Sequence, residues 1–249
     1  MFDLSGKTAI VTGAGRGLGL AMAAALAGAG ANIFGVQRSA MDDCRKAVEA
    51  HDHRFEGMQV DIAEDGAADA IMSRALDAFG GVDILINNAG IIRRADTLDL
   101  EREDWDDVID INLSAALWLS QAAARYWVRE GRGGKIINTA SMLSFQGGIR
   151  VAGYTAAKSG LLGLTRLLAN EWAAKGINVN AIAPGYFRTD NTQALQDDQV
   201  RNAEIIARIP AGRWGEPEDL GGAAVFLASS AADYVHGTVV AVDGGWLAR

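Results

Sequence analysis

Short runs of apolar residues alternate along the chain with longer stretches of mixed polarity. Thr8-Ala9-Ile10-Val11-Thr12, Ala31 to Val36, Arg54 to Val60, Val82 to Ile86, Gly134 to Asn138, Asn178 to Ile182 and Thr238 to Val242 each read as a strand. Between them lie helical patterns. An Ala-rich stretch runs to about Ala29, Trp105, Val108 and Ile109 repeat at helical spacing, and further helices cover Ala152 onward and Glu218 to Ala228. Strands alternating with helices predict an α/β fold: a doubly wound parallel sheet of about seven strands, in three αβα layers. The helix after Tyr154 is apolar or small nearly all round (Leu161, Leu162, Leu164, Leu167, Leu168, Ala169, Trp172). Such a helix is buried on every side, which predicts an oligomer interface on its outer face. The more polar excursion from about Phe187 to Arg213 is expected to lie over the strand ends as a substrate lid.

Composition fits one domain over residues 1–249. The chain is 49% hydrophobic and 22% charged, enough for a large core, and has only 3 Pro, no internal repeat and no low-complexity run. The net charge of −8 argues against nucleic acid as a partner. It also means that an anionic substrate must be held by local arginines rather than by the overall field. No stretch of 18 apolar residues exists, so no membrane association is expected, and Met1 to Lys7 lacks a signal pattern. A single Cys44 excludes an internal disulfide and suits a cytoplasmic protein.

The first strand runs directly into Gly13-Ala14-Gly15-Arg16-Gly17-Leu18-Gly19 and then a helix. Strand, glycine turn and helix form the context in which glycines bind a dinucleotide: the backbone approaches the pyrophosphate and the helix N-terminus faces it. In this fold a carboxylate about 20 residues on holds the ribose 2′-hydroxyl of NAD. That place reads Gln37-Arg38. With Arg16, Arg38 can instead accept the 2′-phosphate of NADP, or both arginines are simply solvated. Asp61-Ile62 closes the third strand on the ligand side, where Asp61 either meets the adenine or caps the following helix. Asn87-Asn88-Ala89-Gly90 closes the fourth, its two amides tying loops together or lining the cofactor. Asn112 falls on an apolar helical stripe, where a polar amide must find partners; it is either a buried structural amide or part of a water relay.

The chemistry concentrates in Ser141 to Lys158. Tyr154 and Lys158 in Y-T-A-A-K stand one helical turn apart. An ammonium beside a phenol is expected to lower its pKa from about 10 and make it a proton-transfer group. Ser141 can hydrogen-bond the same substrate oxygen. The three histidines, His51, His53 and His236, show no ligand spacing, so no metal is expected.

T-G-A-G-R-G-L-G, Asp61, N-N-A-G, Asn112, Ser141, Y-T-A-A-K, P-G and V-D-G-G, in that order across essentially the whole chain, resemble the short-chain dehydrogenase/reductase family. The resemblance implies a Rossmann-type fold, a nicotinamide cofactor and hydride transfer at a carbonyl or hydroxyl. It implies Tyr154 as general acid/base, Lys158 as its pKa modifier and ribose contact, Ser141 as substrate orienter and Asn112 as holder of a relay water. Pro184, Gly185, Phe187 and Thr189 would border the cofactor, and a homotetramer is implied. Within the family, A-S-M-L-S-F-Q-G-G-I-R-V, R-I-P-A-G-R-W-G and A-V-D-G-G-W-L-A-R resemble bacterial dehydrogenases of ring-opened sugar acids from uronate breakdown, which implies NAD, with NADP as the alternative. A sugar acid carries a carboxylate to be paired. Candidates are Arg93, Arg94, Arg150 and Arg213, with Arg150 or Arg94 preferred and Gln146 on a hydroxyl. The alternatives are a 3-oxoacyl-carrier-protein reductase, a gluconate dehydrogenase, and a non-catalytic nucleotide-binding relative.

Overall fold

Seven strands are hydrogen-bonded in one parallel sheet in the computed structural model, which describes residues 1–249. They are β1 (Thr8–Thr12), β2 (Asn32–Gln37), β3 (Phe55–Gln59), β4 (Ile84–Asn87), β5 (Gly134–Thr139), β6 (Ile177–Pro184) and β7 (Val239–Val242). The helices are α1 (Gly17–Gly28), α2 (Asp42–Glu49), α3 (Ala67–Phe79), α4 (Arg102–Ile109), α5 (Ala115–Arg129), α6 (Ala152–Trp172), α7 (Gln193–Asp197), α8 (Gln199–Arg208) and α9 (Gly221–Ala228). All seven expected strands are present, with ends moved by a residue or two.

The strand order is β3-β2-β1-β4-β5-β6-β7. The chain winds outward from β1 through β2 to β3, then returns to β4 on the other side of β1. That reversal makes β1 and β4 the switch point, and a ligand crevice opens beyond their carboxyl ends. Every residue of β1 is buried. Ala9 and Val11 enter one apolar layer with α1 and α9, while Ile10 enters the opposite layer with α3 and α5. Burial on both faces explains why the central strands read as continuous apolar runs and not as alternating ones.

The helix expected over Glu218 to Ala228 is split. Pro217 to Leu220 form a 3₁₀ turn, and α9 begins only at Gly221. Proline at the first turn fixes the backbone there, and Glu216 and Asp219 close a capping box around it.

Candidate active site

The crevice is lined by both halves of the switch point: Gly13 and Arg16 to Gly19 from the glycine turn, Gln37 and Arg38 from the end of β2, Asp61 and Ile62 after β3, and Asn88 to Gly90 after β4. Thr12 joins the halves. Its hydroxyl donates to the Ile86 carbonyl (3.2 Å) and accepts from the amides of Asn88 (2.9 Å) and Ala89 (3.0 Å). The Asn88 side chain donates back to the Thr12 carbonyl at 3.0 Å. Asn87 faces the other way, with its amide donating to Ser120, Asn138 and the Ala116 carbonyl. The adjacent amides thus divide the work: Asn87 ties β4 to β5 and α5, and Asn88 shapes the crevice.

A dinucleotide fits this crevice. No side chain caps the N-terminus of α1, so its first amides and its positive dipole end are left for an anion such as pyrophosphate. Gln37 supports the turn, its Oε1 accepting from the Gly15 amide at 2.8 Å while Nε2 donates to Ser39 at 2.6 Å. A Cβ on Gly15 would lie 2.5 Å from that same side chain, so Gly15 reaches the crevice only through Gln37. Asp61 accepts from the Ala63 amide (3.0 Å) and pairs with Arg38 (3.4 Å), while α3 starts only at Ala67. It therefore caps a turn and lines the crevice at once. Arg16 pairs with Asp190 at 2.9 Å.

The reacting groups sit at the start of α6. This helix begins at Ala152, which places Tyr154 and Lys158 on one face. Lys158 is buried; its Nζ lies 5.6 Å from the Tyr154 ring centroid and donates to the Thr139 carbonyl at 2.6 Å. The β5 terminus thus fixes the lysine. Desolvation lowers the Lys158 pKa to about 8. The expected depression of the Tyr154 pKa by the lysine is not what the site produces. Desolvation in the crevice wall pushes the phenol up, and hydrogen bonding with Ser141 and the nearby charge of Arg94 pull it back down. Ser141 caps a 3₁₀ turn, accepting from the Leu143 amide at 3.2 Å. Ser144 in that turn donates to the Lys158 carbonyl at 2.8 Å, which locks the serine loop onto α6.

Asn112 lies in a π-helical turn, Asp110–Ser114, between α4 and α5. It is buried, and both ends of its amide are taken by one residue: Oδ1 accepts from the Ile91 amide (2.8 Å) and Nδ2 donates to the Ile91 carbonyl (2.9 Å). The side chain thus holds the loop that follows Gly90. Such widened turns are frequent at functional sites.

The four candidate arginines separate. Arg93 is bound to Asp104 (3.3 Å) and Asp107 (3.1 Å), and Arg213 to Asp219 (2.6 and 3.0 Å). Arg150 is exposed on a turn with φ 62°, and its carbonyl accepts from the Ala95 amide. Arg94 has no carboxylate partner; it donates to the Asn191 carbonyl at 3.3 Å and acts on the Tyr154 phenol. Gln146 accepts from Arg208, at the end of α8, at 3.4 Å. Thr189, Asp190 and Asn191 line the crevice. Pro184, Gly185 and Phe187 do not. Gly185 donates to the Val242 carbonyl and packs on Asp243, and Phe187 is buried in the core, so this stretch aims Thr189 from behind.

A pyrophosphate-type cradle beside a Ser-Tyr-Lys group defines a nicotinamide-dependent oxidoreductase of alcohols and ketones. A family model described as enoyl-(acyl carrier protein) reductase matches residues 13–247. The 2-dehydro-3-deoxy-D-gluconate 5-dehydrogenase of Escherichia coli (strain K12) is 56% identical, over 100% of this chain and 98% of the relative. The enzyme of that name from Bacillus subtilis (strain 168) is 51% identical, over 100% and 97%. A crystal structure of a dehydrogenase from Agrobacterium tumefaciens with bound NADP superposes with a TM-score of 0.94 at 55% identity, over 100% of this chain and 99% of that one. The chain belongs to the short-chain dehydrogenase/reductase family.

Proposed function

We propose that the protein interconverts a hydroxyl and a ketone of a ring-opened sugar acid, 2-dehydro-3-deoxy-D-gluconate, with NAD or NADP, as a cytoplasmic homotetramer. The observation that carries the substrate class is Arg94, a guanidinium beside Tyr154 with no carboxylate of its own. A substrate carboxylate supplies that partner and fixes the sugar acid against the phenol. The similarity to the 2-dehydro-3-deoxy-D-gluconate enzymes supports the same reading.

In the oxidation direction Tyr154 takes the hydroxyl proton as the base, and Ser141 hydrogen-bonds the same oxygen. Lys158, held by the Thr139 carbonyl, places its charge near the phenolate that serves as the base and that becomes the phenol as it takes the proton. A bound nicotinamide supplies the hydride acceptor. Gly13 and Gly17 to Gly19 would hold its pyrophosphate, Asp61 and Ile62 the adenine side, and Asn88 to Gly90 and Thr189 the nicotinamide side. Residues 187–213 act as the lid. The tetramer is supported by Trp118 on α5 and Leu167 on α6, apolar side chains about half exposed on the helices where an interface is expected. A single buried Cys44 suits the cytoplasm.

Arg94→Ala tests the substrate reading. Loss of a charge-assisted contact of about 1.5–3 kcal/mol should raise KM for the acid about tenfold to a hundredfold. A neutral polyol analogue should be unaffected in KM. Removing the cation also lets the phenol pKa rise, so the pH–rate profile of oxidation should move to higher pH. Equal KM changes for acid and neutral substrates would sink the carboxylate role.

A further inference from the structure

The two guanidiniums placed for a 2′-phosphate are both already paired. Arg16, at the glycine turn, is bound to Asp190 at 2.9 Å. Arg38, at the end of β2, is bound to Asp61 at 3.4 Å. Neither pair is a local accident of sequence neighbours: Arg16 and Asp190 are 174 residues apart and meet only because the segment after β6 folds over the crevice. Asp61 has a second task, accepting from the Ala63 amide, so it is fixed where it stands. Asp190 has no other hydrogen bond from its side chain, so its contribution is the charge it sets against Arg16. At the end of β2, Gln37 offers no carboxylate to repel a phosphate, and its carbonyl oxygen is committed to Gly15. The charge that a 2′-phosphate would meet is therefore set by the two arginines and by their carboxylate partners.

We infer that Asp190 is a specificity-determining residue that disfavours NADP relative to NAD by occupying the guanidinium of Arg16. A 2′-phosphate must share or break this pair to reach Arg16, whereas a 2′-hydroxyl leaves it intact. The side chains of Arg16 and Asp190 are 72% and 74% exposed, so the pair is solvated and its weight is modest. Asp190 then biases the choice without forbidding NADP, and salt weakens the bias.

The inference rests on the dinucleotide reading of the crevice, and the test separates the two. NADH and NADPH are titrated by their fluorescence into the intact protein, Asp190→Asn, Arg16→Gln and the double variant, at low and high ionic strength. Asp190→Asn should raise the NADPH-to-NADH affinity ratio about twofold to fivefold at low salt, the range an exposed ion pair supports, and less at high salt. In the Arg16→Gln background the same substitution should leave the ratio unchanged. If the ratio does not rise, or rises equally without Arg16, the proposal is overturned while the cofactor reading stands. If neither dinucleotide binds, the cofactor reading fails and the proposal with it.

Discussion

Tyr154→Phe should lower kcat/KM for the sugar acid by roughly 10²–10⁴-fold, the range for loss of a positioned acid/base. The substitution keeps the ring against Lys158 and removes only the hydroxyl. Cofactor affinity should therefore hold while turnover collapses. The wild-type rate of oxidation should rise with pH as the phenol loses its proton, because the phenolate is the base. Burial raises the Tyr154 pKa, so this limb lies on the alkaline side, tempered by Ser141 and Arg94. In the variant the phenol's limb should vanish, leaving only the pH dependence that the titration of Lys158 at about 8 imposes. Lys158, bound to the Thr139 carbonyl and with its pKa lowered by burial to about 8, loses its own charge as the pH rises toward the phenol's limb, so its support of the phenolate is strongest at the low-pH end of that limb. Steady-state rates across the pH range, with NADH binding as the control, decide the matter. A variant keeping a tenth of the activity with the same pH profile would remove Tyr154 from the chemistry.

The readable parts of this protein are those set by local pattern. Strands buried on both faces need apolar residues at successive positions, so β1 and β6 announce themselves. Tyr154 and Lys158 are four apart on a helix whose start is visible, so their shared face follows from geometry. What depends on distant packing was not legible. The Tyr154 pKa is governed first by desolvation, and no spacing in Y-T-A-A-K reports how deeply the crevice wall encloses the ring. Asn112 reads as an amide needing partners, yet the π turn that hands it to Ile91 leaves no signal in the sequence. Asp190 reads as one acidic residue in a polar excursion until the fold brings it to Arg16. Among the arginines, carboxylate partners sorted Arg93 and Arg213 from Arg94, and those partners lie on helices and turns that the spacing alone does not orient.

Gly19→Ala, one methyl group, should weaken cofactor binding as Tyr154→Phe weakens chemistry. A Cβ at this position would lie 2.0 Å from the Gly13 carbonyl oxygen and 2.6 Å from the Asn88 side-chain nitrogen. The first of these is backbone, at the turn between β1 and α1, and has no rotamer by which to move aside. The helix must slide away from the turn, and Asn88, which donates to the Thr12 carbonyl, is displaced with it. Forcing a methyl group into such packing costs about 1–3 kcal/mol of stability. The functional loss comes on top, because the shift moves the free amides of α1 relative to the crevice; losing one charge-assisted contact to a pyrophosphate, about 1.5–3 kcal/mol, weakens binding about tenfold to a hundredfold. NADH titration of the folded variant, with thermal unfolding alongside, measures both effects. Wild-type affinity in the variant would show that the N-terminus of α1 does not hold the pyrophosphate, and the whole placement of the cofactor along β1 and β4 would have to be redrawn.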